Sequence, residues 1–302
     1  MVVQQHRSGG GARAVCALAV VGVMAATAGC SDSGGGVVGD RAVADERGGA
    51  DPVEAVHRAA EVLVGKGSGG GNRSGAGRAV AGSAEVHTSM ETAVGGTRVT
   101  ITGRGRYDFR KQLGRLTVVL PEDAAGEAEH RPITELLAPG ALYMKNRGAG
   151  VPDDKWVRVD TTTLEDGNLV TGGVTDPMAA AELLRTARSV TYVGESDLAG
   201  VTVRHYRGTA DIGRAARAAS PGSRDALAAA AKGFRTHTVP FDAYLDTAGR
   251  LRKVRHRFSF ANGGRVVEVI STTLLSGFGV PVTVRLPDDR DIYTGKIQQG
   301  PR

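Results

Sequence analysis

"SAEVHTSMETAVGGTRVTITGRGRYDF" (residues 83–109) alternates small or apolar residues with polar ones on both sides of a Gly-Gly pair. Ala84, Val86, Thr88 and Met90 fall on one side of the first half, and Ser83, Glu85, His87, Ser89 and Glu91 on the other. A period of two marks a half-buried strand, and Gly95–Gly96 is the tight turn that folds it onto a second strand over 97–109. Strands of 10 to 12 residues run roughly 33–40 Å at the usual rise, more than a small compact core needs. A sheet of such strands curls, and its concave apolar face needs covering by helices or by a ligand.

Downstream, shorter strands are expected at 115–121, 132–138, 141–146 and 155–160. Six consecutive strands without a helix argue against a doubly wound α/β fold. Further strands are read at 189–194 and 201–212 around the turn "ESDLAG", then at 236–246, 251–260, 265–275 and, as a last candidate, "VPVTVRLP" (280–287). Helices are few. "DPVEAVHRAAEVLVGKG" (51–67) opens with Asp51 as N-cap, Pro52 in the first turn and Glu54 completing a capping box, with Val53, Val56, Ala60 and Leu63 on one face. "DPMAAAELLRTAR" (176–188) repeats the Asp-Pro start, and an alanine-rich helix is read at about 223–232, closed by Gly233. The sum is an α+β fold: a strongly curved antiparallel sheet of ten to eleven strands with two or three helices.

Upstream of the fold the chain reads as a targeting segment. Residues 1–13 carry Arg7 and Arg13 and no acid, and "AVCALAVVGVMAATAG" (14–29) carries no charge. That is a basic region followed by an apolar one, too short for the ~20 residues that span a bilayer. Thr27, Ala28, Gly29 and Cys30 resemble the bacterial lipoprotein signal L-A-G-C at three of four places, with Thr27 where leucine is usual. The chain has two cysteines, and Cys16 leaves with the signal. Cys30 is then a lipid attachment point; the alternative is a buried or disulfide-bonded thiol, for which no partner remains in the mature chain. Residues 30–50, rich in glycine and serine, form a flexible tether. The expected organisation is a signal peptide at 1–29, the tether at 30–50, one domain at 51–287 and a C-terminal tail at 288–302. The expected location is the extracytoplasmic face of the cell membrane, held by acyl chains without spanning it.

Loss of Arg7 and Arg13 lowers the formal charge from +6 to +4. No basic run is interleaved with aromatics, so no nucleic-acid partner is expected. Catalytic spacings are missing too: Ser196 in "GESDL" lacks the second glycine of a nucleophile elbow, and Gly295–Lys296 has no upstream P-loop glycine. The mature histidines (His57, His87, His130, His205, His237, His256) form no H-x-x-x-H pair. The expectation is therefore no enzyme, no metal and no cofactor. "GRLRKVRHRFSF" (249–260) puts Lys253, Arg255 and Arg257 on one side and Val254, His256, Phe258 and Phe260 on the other. The cationic side reads as a solvated outer face, or as a surface for anionic head groups. Trp156 reads as a rim or core residue.

The motifs "GRGRYDF", "ALYMK" with "KWVRVD", "DPMAAAELLR", "VTYVGESDLAGVTVRHYRGTADI", "VPFDAYLDTAGRLRKVR" and "TTLLSGFGVPVTVRLP" resemble the actinobacterial LppX/LprG group of envelope lipoproteins over residues 51–287. The resemblance implies a LolA-like half barrel closed by helices over an apolar cavity that takes acyl chains. It implies a lipid or glycolipid carrier of the cell envelope, with some members acting alongside membrane exporters. The inward residues that would line the cavity are Val86, Met90, Val99, Ile101, Val239, Phe241, Val254 and Phe258, each buried acyl methylene contributing about 0.8 kcal/mol. The alternative is a surface-tethered interaction or sensing protein serving a membrane partner such as a sensor kinase or permease, without lipid carriage.

Overall fold

Asp51 and Pro52 begin the first element as their chemistry dictates. In the computed structural model, which describes residues 51–65, 82–94, 97–121, 131–148, 150–262 and 265–295, helix α1 spans Pro52–Val64. The Asp51 carboxylate accepts from the Val53 N–H at 3.1 Å, and Gly65 closes the helix in the left-handed region with φ 77°. Glu54 pairs with Arg58 one turn on, at 3.1 Å. Val56, Ala59, Ala60 and Leu63 form the buried face.

Eleven strands follow: β1 (Ser83–Val94), β2 (Thr97–Asp108), β3 (Leu113–Val119), β4 (Ile133–Ala138), β5 (Ala141–Lys145), β6 (Val157–Asp160), β7 (Arg188–Leu198), β8 (Val201–Asp211), β9 (Thr238–Asp246), β10 (Leu251–Asn262) and β11 (Arg265–Ser276). They make one antiparallel sheet in the order β6-β5-β4-β3-β2-β1-β11-β10-β9-β8-β7. Strands β1 and β2 form the antiparallel hairpin expected from the alternation, paired from Ser83 opposite Asp108 to Val94 opposite Thr97. The chain starts at the middle of the sheet, walks outward to β6, crosses to the far edge at β7, and walks back to seal the seam between β11 and β1.

The crossover contains α2 (Pro177–Leu184), capped by Asp176, which accepts from the Met178 N–H at 2.8 Å. All eight α2 residues are buried. The helix is enclosed on every side, Glu182 included, whose carboxylate accepts from Arg185 Nη1 at 2.6 Å and from the Ser220 N–H at 2.8 Å. Helices α3 (Ile212–Ala218) and α4 (Pro221–Gly233) complete the cover. The core is the layer between the concave face of the sheet and these helices.

Four differences from the sequence expectation have physical causes. Helix α3 is extra: the Asp211 carboxylate accepts from the Arg214 N–H at 2.7 Å and ends β8 by capping a helix that the contiguous apolar run concealed. Strand β7 continues to Leu198, because the turn needs only Ala199 and Gly200, both at positive φ (52° and 80°), the geometry of a two-residue hairpin. Residues 280–287 alternate in exposure but join no ladder, since both sides of β11 are already taken by β1 and β10. They run instead as a strap across the outer face. The Gly279 N–H donates to the Ser83 carbonyl at 2.9 Å, and the Ser83 hydroxyl donates to the Val280 carbonyl at 2.6 Å. The strap continues past residue 288, where a tail was expected: Ile292 makes a parallel bridge with Trp156, and the Trp156 N–H donates to the Asp291 carbonyl at 2.8 Å.

Candidate functional site

The eight residues expected to line a cavity lie on β1, β2, β9 and β10, and strand register puts all of them on one face. Met90 is opposite Ile101, Val86 opposite Leu275, Phe258 opposite Val269, and Phe241 opposite His256. This is the concave face, under the helices. Val86, Met90, Val239, Phe241, Val254 and Phe258 are at most 3 % exposed and belong to the core. Ile101 is partly buried and packs against it, and Val99, near the Val94–Thr97 end of the hairpin, is 40 % exposed. Side chains so closed to a water-sized sphere border no void large enough for water. Around these six the layer is filled by protein, and an acyl chain would enter only by moving helix away from sheet.

Polar groups interrupt this apolar layer. Glu135 on β4, between Leu116 and Met144 on its neighbours, is fully buried and its carboxylate has no hydrogen-bond partner. Burial pushes its pKa up to about 8, against the lowering influence of the Arg147 guanidinium. His256 on β10 lies between Phe241 and Phe258, its Nε2 unpartnered, and burial pushes it down to about 3. At neutral pH the face therefore holds a protonated carboxyl and a neutral imidazole. Thr88 Oγ1 is likewise buried without a partner, whereas Thr175 and Ser271 satisfy each other at 2.6 Å. Burial raises the Asp176 carboxyl, although the N–H groups of Met178 and Ala179 and the Tyr107 hydroxyl all donate to it.

Sequence alternation signalled His256, but not Glu135. In "TELLA" both Leu136 and Leu137 are buried, so the period of two is lost and the charged residue gives no sign of facing inward. A small, partly open pocket of about 20 Å³, room for water alone, lies between Leu137, Ala141, Asn168 and Asp176.

The outer face carries the cations. Lys253, Arg255 and Arg257 project from β10 opposite buried Val254, His256 and Phe258, as the alternation requires. Asp242 on β9 is buried on this outer face. It accepts from His205 Nε2 at 2.8 Å, Arg207 Nε at 3.0 Å and Arg257 Nη2 at 2.9 Å. Burial alone would raise this carboxyl, but the bonds from His205 and Arg207 and the nearby guanidinium charges hold it below its ordinary value. His205 also stacks on Tyr244, with ring centroids 4.4 Å apart. The cluster ties β8, β9 and β10 together.

Ser196 is exposed on β7, and the described residues contain no group of three or more metal-ligating side chains. Among the described residues no helix is long and apolar enough to cross a membrane. Cys30 and the tether lie outside the described residues.

No protein-family model matches the chain, and no curated protein matches it. Solved structures similar to it in fold include the lipoprotein LppX of Mycobacterium tuberculosis, 12 % identical, which aligns over 78 % of this chain and 100 % of its own with a TM-score of 0.43. LprF of Mycobacterium bovis, also 12 % identical, aligns over 78 % and 96 % with a TM-score of 0.41.

Proposed function

We propose that the protein is an envelope lipoprotein, anchored through Cys30, that takes up a lipid or glycolipid between the concave face of its sheet and the covering helices and carries it within the envelope. The observation that carries this reading is the convergence of all eight inward residues on a single apolar face, beneath helices attached by side-chain packing rather than by ladder hydrogen bonds. Burial of acyl methylenes would supply the binding free energy. Thr88, Glu135 and His256 would supply hydrogen-bonding groups to a ligand's polar part in the same layer. A second reading, a tethered interaction or sensing protein for a membrane exporter or sensor, is favoured by the close packing of the six most buried candidates. Native mass spectrometry of the full chain from an actinobacterial host separates the two. Co-purifying lipid mass, released on unfolding, is the expected result; a bare polypeptide mass with no uptake of added lipid would reject carriage. For the anchor, Cys30→Ala should abolish acylation and release the processed chain from membranes.

A further inference from the structure

On the outer face of the sheet, Arg106 of β2 stands directly opposite Arg115 of β3, and both are exposed. Directly opposed side chains have Cβ atoms about 5 Å apart, and like charges at that distance destabilise the pairing. Arg104 lies two residues along β2 on the same face, diagonal to Arg115. The acid within reach is Glu85, 3.7 Å from Arg106 and itself half exposed; Arg104 and Arg115 have no acidic partner among the described residues. Three guanidinium groups are thus gathered against one carboxylate. The strap passes beside them and leaves an open cleft of about 490 Å³ between Pro281–Thr283 and the three arginines, lined also by Thr117.

A repulsive cross-strand pair is stabilised when an anion bridges it. Planar guanidinium groups on adjacent strands present paired N–H donors suited to the oxygens of a tetrahedral phosphate. We propose that this cleft binds a phosphate group, held by Arg106 and Arg115 with Arg104 completing its charge. The group belongs either to a lipid head group or to a free phosphate. The site is on the opposite face from the apolar layer and is independent of it.

The test titrates the full chain with inorganic phosphate at constant ionic strength, chloride replacing phosphate in the control, and compares wild type with Arg115→Gln and, as a distant outer-face control, Arg98→Gln. Saturable phosphate binding is expected, weakened at least tenfold by Arg115→Gln and unchanged by Arg98→Gln. In chloride alone, Arg115→Gln should melt at a higher temperature than wild type, because it removes the repulsion. No binding beyond the chloride control, or equal binding by Arg115→Gln, would overturn the proposal. Sedimentation with phosphatidylcholine vesicles, with and without phosphatidylglycerol, then identifies the source. If Arg115→Gln also loses the preference for phosphatidylglycerol, the phosphate is that of a head group; if that preference persists while free phosphate binding is lost, it is a free phosphate.

Discussion

Glu135 and His256 lie in the same apolar layer and give the fold opposite responses to pH. Glu135 ionises in the folded state only near pH 8, against an ordinary value of 4.5. Between those values the folded chain holds a proton that the unfolded chain has released, so stability falls as pH rises, by about 1.4 kcal/mol per unit. Over the whole interval the loss is about 5 kcal/mol. His256 stays neutral in the folded state down to about pH 3, against an ordinary 6.5. Over that interval the unfolded chain holds the extra proton, so stability rises with pH by a similar amount. Where the intervals overlap, between pH 4.5 and 6.5, the two slopes cancel. These two groups offset each other there, leaving an alkaline decline up to about pH 8 from Glu135 and an acid decline below pH 4.5 from His256, to which the lowered Asp242 carboxyl adds. Urea unfolding at closely spaced pH values measures the profile. Glu135→Gln should flatten the alkaline arm and leave an acid arm, and His256→Leu should leave the alkaline arm and make the acid arm shallower, the remainder coming from Asp242. A wild type whose stability holds or rises from pH 6.5 to 8, or a Glu135→Gln variant with the same alkaline slope, would refute the reasoning.

Three further outcomes follow from packing and hydrogen bonding. Phe241→Ala empties a fully buried site and should cost about 3–5 kcal/mol in urea unfolding; a cost under about 1 kcal/mol would mean the concave layer is not packed as described. Asp242→Ala leaves His205, Arg207 and Arg257 without their shared acceptor and should cost about 2 kcal/mol, with a loss of hydrogen-exchange protection along β8–β10. Ala199→Gly relieves a left-handed alanine in the β7–β8 turn and should raise stability by about 1 kcal/mol, seen as a higher urea midpoint.

The parts of the fold that were legible in the sequence are those punctuated locally. Gly95–Gly96 between two alternating runs yields β1 and β2 with their register, and Asp-Pro starts yield α1 and α2. Elements decided at long range were not legible. "VPVTVRLP" has the alternation of a strand, but neither side of β11 is free for it once β1 and β10 have paired there, and nothing local to that segment announces that pairing. Helix α3 follows β8 without a break, its start marked by Asp211 alone. At the candidate site, alternation placed Val86, Met90, Val239, Phe241, Val254 and Phe258 on a common face, because each sits within a long run of period two. It could not indicate how tightly helices fill the space above them, which depends on tertiary contacts such as those of α1 with β7 and β9. The cleft beneath the strap was invisible for the same reason: Arg104, Arg106 and Arg115 are ordinary strand residues until the chain's last part crosses over them.

The central claim is that an acyl chain occupies the layer between the concave face and the helices. The most direct measurement is photo-crosslinking of the full chain with a phospholipid carrying a diazirine on its acyl tail, followed by peptide mapping. The account predicts label on inward residues of β1, β9 and β10, with Met90, Phe241 and Phe258 among them, competed by unlabelled lipid. Label confined to outward residues of those strands, or insensitive to competitor, would contradict it.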